Sequence, residues 1–219
     1  MLLFTLFLLG IKNELARCCD KLDRSSIGKS LNKGELSLEE YINFLIQLHY
    51  YIVPGPDLLA EDVNRMKAAG DKEFEIYVSA HFDVEDTLIP LILTDLENLG
   101  VTRDEVKRRG PTKATTDINS YVHKLHHDKD PVFILVSDIA AKVLLDHYTP
   151  KIISAIKPKL PDPSKGTGFL TVDTKAQIDI KSQMLKVMRK HINFGNKRRF
   201  IRELGKIFDM FTDWLEAIK

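Results

Sequence analysis

Cysteine is almost missing from this 219-residue chain, and the two present, Cys18 and Cys19, are neighbours. Adjacent cysteines make a poor structural bridge, so a disulfide framework is excluded and the chain reads as reduced, intracellular and expected in the cytoplasm. Zinc-finger spacing is absent as well. Net charge is the second thing lacking: 32 Lys and Arg stand against 31 Asp and Glu. No global field then draws the chain to nucleic acid or to an anionic membrane surface, and neither is expected as a partner. The third is a long apolar run. Met1 to Gly10 is too short to span a bilayer and lacks both a basic leader and a small-residue cleavage site, and Lys12, Glu14 and Arg17 soon interrupt it with charge. A core-facing helix is the expected use of those residues. Strands are lacking too, since no segment alternates convincingly between apolar and polar.

What is present is helical. Ser37 followed by Glu39 and Glu40 makes an N-cap with acidic residues in the first turn, leading into Ile42, Leu45, Ile46 and His49 at helical spacing. Pro54-Gly55-Pro56 stops that helix or bends it sharply. Leu58 to Lys67 reads as a helix, and Phe74 to Leu99 as a long one kinked at Pro90 and closed by Gly100. A short helix starts at Thr102, and another covers about Thr116 to His127. From Pro131 to about Ile156 the chain is apolar on nearly every side, as a central helix is. A connection rich in Pro, Gly, Lys and Ser leads to two last helices, about Leu170 to His191 and Lys197 to Ile218. With 44% hydrophobic residues the length suits one domain, residues 1–219, all-α, of about seven or eight helices.

The most informative stretch is His81-Phe82-Asp83-Val84-Glu85-Asp86-Thr87-Leu88, running on to Asp95-Leu96-Glu97-Asn98-Leu99-Gly100. Positions 81, 85 and 88 fall at i, i+4 and i+7, so a histidine, a carboxylate and a leucine line one helix face. That is half of a di-metal carboxylate site. His81 alone reads best as a core histidine bonded to a helix neighbour, because a histidine with few companion ligands seldom makes a site. His123, His126 and His127 could present two imidazoles on one face, but an exposed helix end whose cations suit the dipole explains them better. The basic run Lys197, Arg198, Arg199, Arg202 and Lys206 has no stacking platform beside it and reads as a solvated face. Cys18 and Cys19 have no histidine near them in sequence to act as a base.

Three segments carry a resemblance: Gly34-Glu35-Leu36-Ser37 with Tyr41, Phe44-Leu45 and Tyr50-Tyr51; His81 through Gly100; and Pro111-Thr112 to Tyr121 with Pro131 and Leu135. In order and spacing they are similar to the haem-oxygenase-like diiron proteins, the iron-containing redox enzymes, whose helix of the form H-x-x-E-E-x-G-H is followed by D-L-x-x-L-G. The resemblance implies a haem-oxygenase-like helical bundle, shared with TenA and pyrroloquinoline-quinone synthases, holding two irons on three helices. It also implies where ligands would fall. Glu85 keeps the family residue, Leu88 stands where that helix has a histidine, Lys142 where the central helix has a glutamate, and Asp173, Gln177 and Ile180 where a late helix has H-x-x-x-D-x-x-H.

Iron needs several imidazole and carboxylate donors around an open position, and this chain has lost most of them. Lys142 is expected to neutralise Glu85, and with it Asp173, in place of the metal, because Asp138, Lys142 and Asp146 form one polar stripe on an apolar helix and a buried lysine needs a carboxylate partner. The alternative for that stripe is a solvated row of i, i+4 ion pairs. A haem is not expected, since no histidine precedes His49 to serve as the axial ligand of true haem oxygenases, and the thiaminase-like relatives need a cysteine in the bundle core.

The expectation is a divergent member of the iron-containing redox family with a degenerate diiron site. It would have no cofactor and would bind or act on a small organic or fatty molecule in the bundle cavity through His81, Glu85 and Lys142. One alternative is an iron-dependent oxygenase using Glu85, His81 and Asp173. The other is a non-catalytic interaction protein, with a homodimer left open.

Overall fold

The computed structural model describes residues 2–171 and 175–218, including the side chains of residues 4–171, 180 and 182–218. Asp173 lies outside the described residues, as do the side chains of Gln177 and Asp179. The described chain is helical and contains no strand. The helices are α1 (Leu2–Arg24), α2 (Ser26–Lys33), α3 (Leu38–Ile52), α4 (Gly55–Ala68), α5 (Lys72–Asn98), α6 (Arg103–Arg109), α7 (Lys113–His126), α8 (Ile134–Ile156), α9 (Gly168–Thr171), α10 (Lys175–His191) and α11 (Lys197–Glu216). Eight of these have fourteen residues or more, and the remainder are short turns of helix between them.

Local chemistry sets the helix ends. Ser37 and Glu40 form a reciprocal capping box at the start of α3, satisfying two backbone N–H groups at once. Thr102, Thr112, Ser25 and Asp71 cap α6, α7, α2 and α5 in the simpler way, each accepting a hydrogen bond from a backbone N–H in the first turn. Pro54 and Pro56 separate α3 from α4, and α5 runs on through Pro90 to end at Gly100, whose φ of 82° lies in the left-handed region that favours glycine.

The apolar α8 is the central element. Ile134, Leu135, Val136, Ile139, Ala140, Leu144, Tyr148 and Ile152 are buried along it, and α11, α7, α2, α3 and α1 all pack against it. α1 lies along α11 and turns Phe7 and Ile11 into the core, as expected of a core-facing helix, while Leu6 and Leu9 of the apolar run stay exposed. No described helix is long and apolar enough to cross a membrane. Arg198, Arg202 and Lys206 of the basic run on α11 are exposed, as a solvated face requires, while Arg199 pairs with Asp128 and lies over the Phe133 ring.

The Asp95 to Gly100 motif acts where α5 meets α9. The buried Asp95 carboxylate accepts hydrogen bonds from the Gly168 and Phe169 backbone N–H groups, both at 2.8 Å, and so caps α9 from another helix. Leu99 packs against Gly166, whose φ is 82° and whose carbonyl accepts the Tyr41 hydroxyl at 2.7 Å. Phe169 and Leu170 are thereby fixed over the interior. Replacing Asp95 with Ala leaves two N–H groups of a partly buried turn unpaired, and unfolding in urea is expected to reveal a loss of about 2 kcal/mol. Asp95→Asn, which keeps one good acceptor, is expected to lose about half as much.

Candidate functional site

Helices α3, α5, α8, α9, α10 and α11 enclose a cavity of about 430 Å³. Most of its wall is apolar: Phe44, Leu48, Leu88, Phe169, Ile180 and Trp214 belong to it. One face is polar because α5 and α8 each turn a stripe inward. From α5 come Tyr77, His81, Glu85 and Leu88, and from α8 come Asp138, Lys142 and Asp146. The helical periods seen in the sequence at 81, 85 and 88 and at 138, 142 and 146 therefore meet across a single space.

The centre of the polar face is His81, whose side chain is 16% exposed. Its Nδ1 lies 3.2 Å from Asp138 Oδ2 and its Nε2 lies 3.4 Å from Glu85 Oε1. Tyr77 donates its hydroxyl to the same Asp138 oxygen at 2.5 Å. Burial opposes a charge on His81, but the Asp138 carboxylate, joined by Glu85, outweighs it and holds the imidazole well above its ordinary value. Burial likewise opposes the charge on Asp138, and His81, with smaller help from His126 and Tyr77, holds that carboxyl below the usual range. Tyr77 is pushed well up, first by burial and then by Asp138. Both shifts point the same way, toward an imidazolium paired with the Asp138 carboxylate.

The sequence-expected residues divide in three ways. His81, Glu85, Leu88, Lys142 and Ile180 converge on one cavity. The expected Lys142–Glu85 neutralisation is corrected: the ion pair Lys142 makes among the described residues is with Asp146 at 3.2 Å, one turn along α8, and the cation beside Glu85 is His81. The reason is reach. Lys142 and Asp146 lie at i, i+4 on a half-exposed edge of the cavity, where pairing does not require burying an ammonium. Asp173 lies outside the described residues.

The histidine cluster is also corrected. His126 turns inward and pairs with buried Asp62, Nδ1 to Oδ2 at 2.6 Å, while His127 stacks on His123 and bonds its backbone carbonyl. These rings do not face one ligand. Cys18 is buried and Cys19 partly so, both as free thiols. Burial, then Glu14, pushes the Cys18 thiol up to about 12, which makes it inert as a nucleophile.

Tyr77 and the role of Asp138 were missed in the sequence. The signal was there for Tyr77, which stands at i−4 from His81 and so on its face. Gly55 was read only as a helix breaker. Its missing side chain makes room for Glu85, since a Cβ there would lie 1.8 Å from Glu85 Oε2.

A diiron centre does not fit the described donors. Both ring nitrogens of His81 face carboxylates, at 3.2 and 3.4 Å. Among the described residues no three His, Cys, Asp or Glu side chains are arranged to hold a metal ion. Leu88 and Ile180 line the cavity where the resemblance would place histidines.

Comparison with known proteins identifies the fold. The chain matches a TenA homologue from Pseudomonas syringae pv. tomato with a TM-score of 0.80 at 11% identity, covering 97% of this chain and 92% of that one. It matches a domain of unknown function with a haem oxygenase-like fold from Shewanella denitrificans at 0.83 and 14%, covering 96% and 91%. For the haem oxygenase of Leptospira interrogans the values are 0.65 and 16%, covering 94% and 97%. The chain has the all-α haem-oxygenase-like fold. No family model matches it. Among curated proteins, the DNA mismatch repair protein MutS of Borrelia hermsii is 24% identical over 164 residues, 71% of this chain and 19% of that protein, so the chain spans about a fifth of the length of the curated relative it matches.

The His81 charge carries a pH signature of known sign. A raised imidazole value means stability that is complete below about pH 6.5, the ordinary histidine value, and is lost as pH rises through the value in the folded protein. The lowered Asp138 value means stability present above about pH 4 and lost as pH falls through its folded value. Measured by urea unfolding, the wild-type advantage over His81→Gln is expected to be about 3 kcal/mol near pH 6. It is expected to shrink toward both pH 3 and pH 10. An advantage that stays flat across this range contradicts an imidazolium at position 81.

Proposed function

We propose that this protein is a divergent relative of the iron-containing redox proteins whose diiron centre has been replaced by a proton-charged site, and that it binds and acts on a small, mostly apolar organic molecule in the bundle cavity. The observation that carries this reading is His81 held between Asp138 and Glu85 at the polar face of a 430 Å³ space. That volume lies within the range of small-molecule sites, and an apolar wall with a few convergent polar groups is their usual composition.

The roles follow from the contacts. His81 is the acid: the 3.4 Å contact between its Nε2 and Glu85 is long enough to be exchanged for a hydrogen bond to a ligand. Asp138 and Tyr77 stand behind the ring and fix its orientation and charge. Glu85 is the acceptor for a proton leaving the ligand. Lys142 and Asp146, on the half-exposed edge, meet whatever part of the ligand lies toward solvent. Acid–base chemistry of this kind needs no metal or other cofactor, and none is proposed. Mismatch repair is not our reading either, because the match covers only about a fifth of that protein and Arg199 of the basic run is engaged with Asp128, Glu203 and the Phe133 ring.

Trp214 is the chain's single tryptophan and lines the cavity, so its fluorescence reports entry of a ligand. Octanoic acid, octylamine and 2-naphthol test an apolar body with an acidic, basic or neutral head. At least one is expected to change the emission saturably, with affinity lowered about tenfold or more in Ala141→Phe, which fills the space. No saturable change with any of the three, or equal affinity in Ala141→Phe, favours an interaction protein without a small-molecule site.

Metal analysis separates this reading from an iron-dependent oxygenase. Protein purified anaerobically with iron supplied is expected to hold far less than one iron per chain. One or two tightly held irons per chain would overturn the replacement of the centre.

A further inference from the structure

Behind the polar face lies a second, smaller space of about 40 Å³, lined by Gly55, Asn119 and His126 and sharing Tyr51, Glu85 and Asp138 with the large cavity. The two carboxylates therefore stand in the wall between the spaces. Glu85 uses one oxygen on His81, while the other, Oε2, is buried and has no hydrogen-bond partner among the described residues. Oε2 is turned toward Gly55, which lines the small space and not the large one. On the other side of this space sits His126, buried, with Nδ1 committed to buried Asp62 at 2.6 Å, so Nε2 is the atom it can offer. Asp62 continues to Arg65, whose side chain is 36% exposed, at 2.5 Å. His126 and the carboxyl groups of Glu85 and Asp138 thus line one small space, whose remaining wall, with Leu58, Leu59 and Val122 in it, is mostly apolar.

A buried carboxylate oxygen does not stay unpaired when water can reach it. A gap of this volume, at roughly 10–15 Å³ for each water's probe sphere, has room, and it has the two or more polar partners that an ordered water requires. We infer that one or two water molecules occupy the small space and join Glu85 Oε2 to His126, tying the His126–Asp62 pair to the cavity site from behind. His126 is a positioning residue here, since it lines the small space and does not touch the ligand cavity.

The inference deepens the proposed acid–base reading, but its test reads water and ring protons rather than binding, so either can fail alone. A crystal structure of the unmodified chain, at a resolution that resolves single waters, is expected to show one or two of them linking Glu85 Oε2 to His126 Nε2. An empty space, or a water on Glu85 with no link to His126, overturns it. In long-range proton–nitrogen spectra of the histidine rings, Glu85→Gln is expected to move the His126 Nε2 signal, while Asp146→Asn leaves it in place. An unmoved His126 signal in Glu85→Gln, or an equal shift in Asp146→Asn, also overturns it.

Discussion

An imidazolium held between two carboxylates inside a helical bundle is the constraint around which the rest of this molecule is arranged. Removing one partner of such a buried group leaves an uncompensated charge, a loss of about 3–5 kcal/mol in buried pairs. α5 and α8 must therefore lie at a separation that lets His81 reach Asp138 at 3.2 Å, and no slide of one helix turn along the other would preserve it. The neighbours are chosen to match. Tyr77 supplies a hydroxyl to the Asp138 oxygen that His81 shares, and Gly55 withdraws a side chain so that Glu85 can lie flat against α4. Tyr51, buried beside both carboxylates, is kept protonated by burial first and by Glu85 and Asp138 next, so it adds no further negative charge.

The roof of the cavity depends on a different kind of bond. The leading N–H groups of α9 have no partner within the helix, and Asp95 reaches across from α5 to take both of them. Phe169 and Leu170 then line the cavity whose polar residues Tyr77, His81 and Glu85 lie about three to five turns before Asp95 on α5. One helix thus carries the acid of the site and the cap of its cover. Movement of α5 would disturb both together.

Much of this was legible in the sequence because helices announce themselves locally. Capping residues at Ser37, Thr102 and Thr112, the prolines around Gly55 and the unbroken apolar run of α8 specify where helices begin, end and bury, and the order of three segments specified the fold. The convergence of 81, 85, 88, 142 and 180 on one space also followed from that order. The charge partners did not. Which carboxylate faces His81 depends on how α8 is rotated against α5. The stripe Asp138, Lys142 and Asp146 offers three candidates on one face, and spacing alone cannot rank them. Lys142 drew attention because its type is unusual on that helix, yet Asp138, one turn deeper, makes the contact. His126 was misread for a related reason. A histidine at a helix end looks solvated until α4 brings Asp62 against it.

A proton on a histidine can supply the positive charge that keeps the interior of such a bundle polar. Carboxylates projecting into an apolar core need a cation, whatever its identity, because unpaired they would have to be protonated or solvated. Here Glu85 and Asp138 can be satisfied by an imidazolium that bridges them, since its two nitrogens point in nearly opposite directions. A histidine differs from a bound metal in one respect. A bound metal holds its charge at any pH at which its ligands are deprotonated, whereas a histidine can release its charge to a ligand as a proton. The interaction that keeps the bundle together is then the same one that can take part in chemistry, and a site built this way couples the stability of α5 against α8 to the protonation state of whatever occupies the cavity.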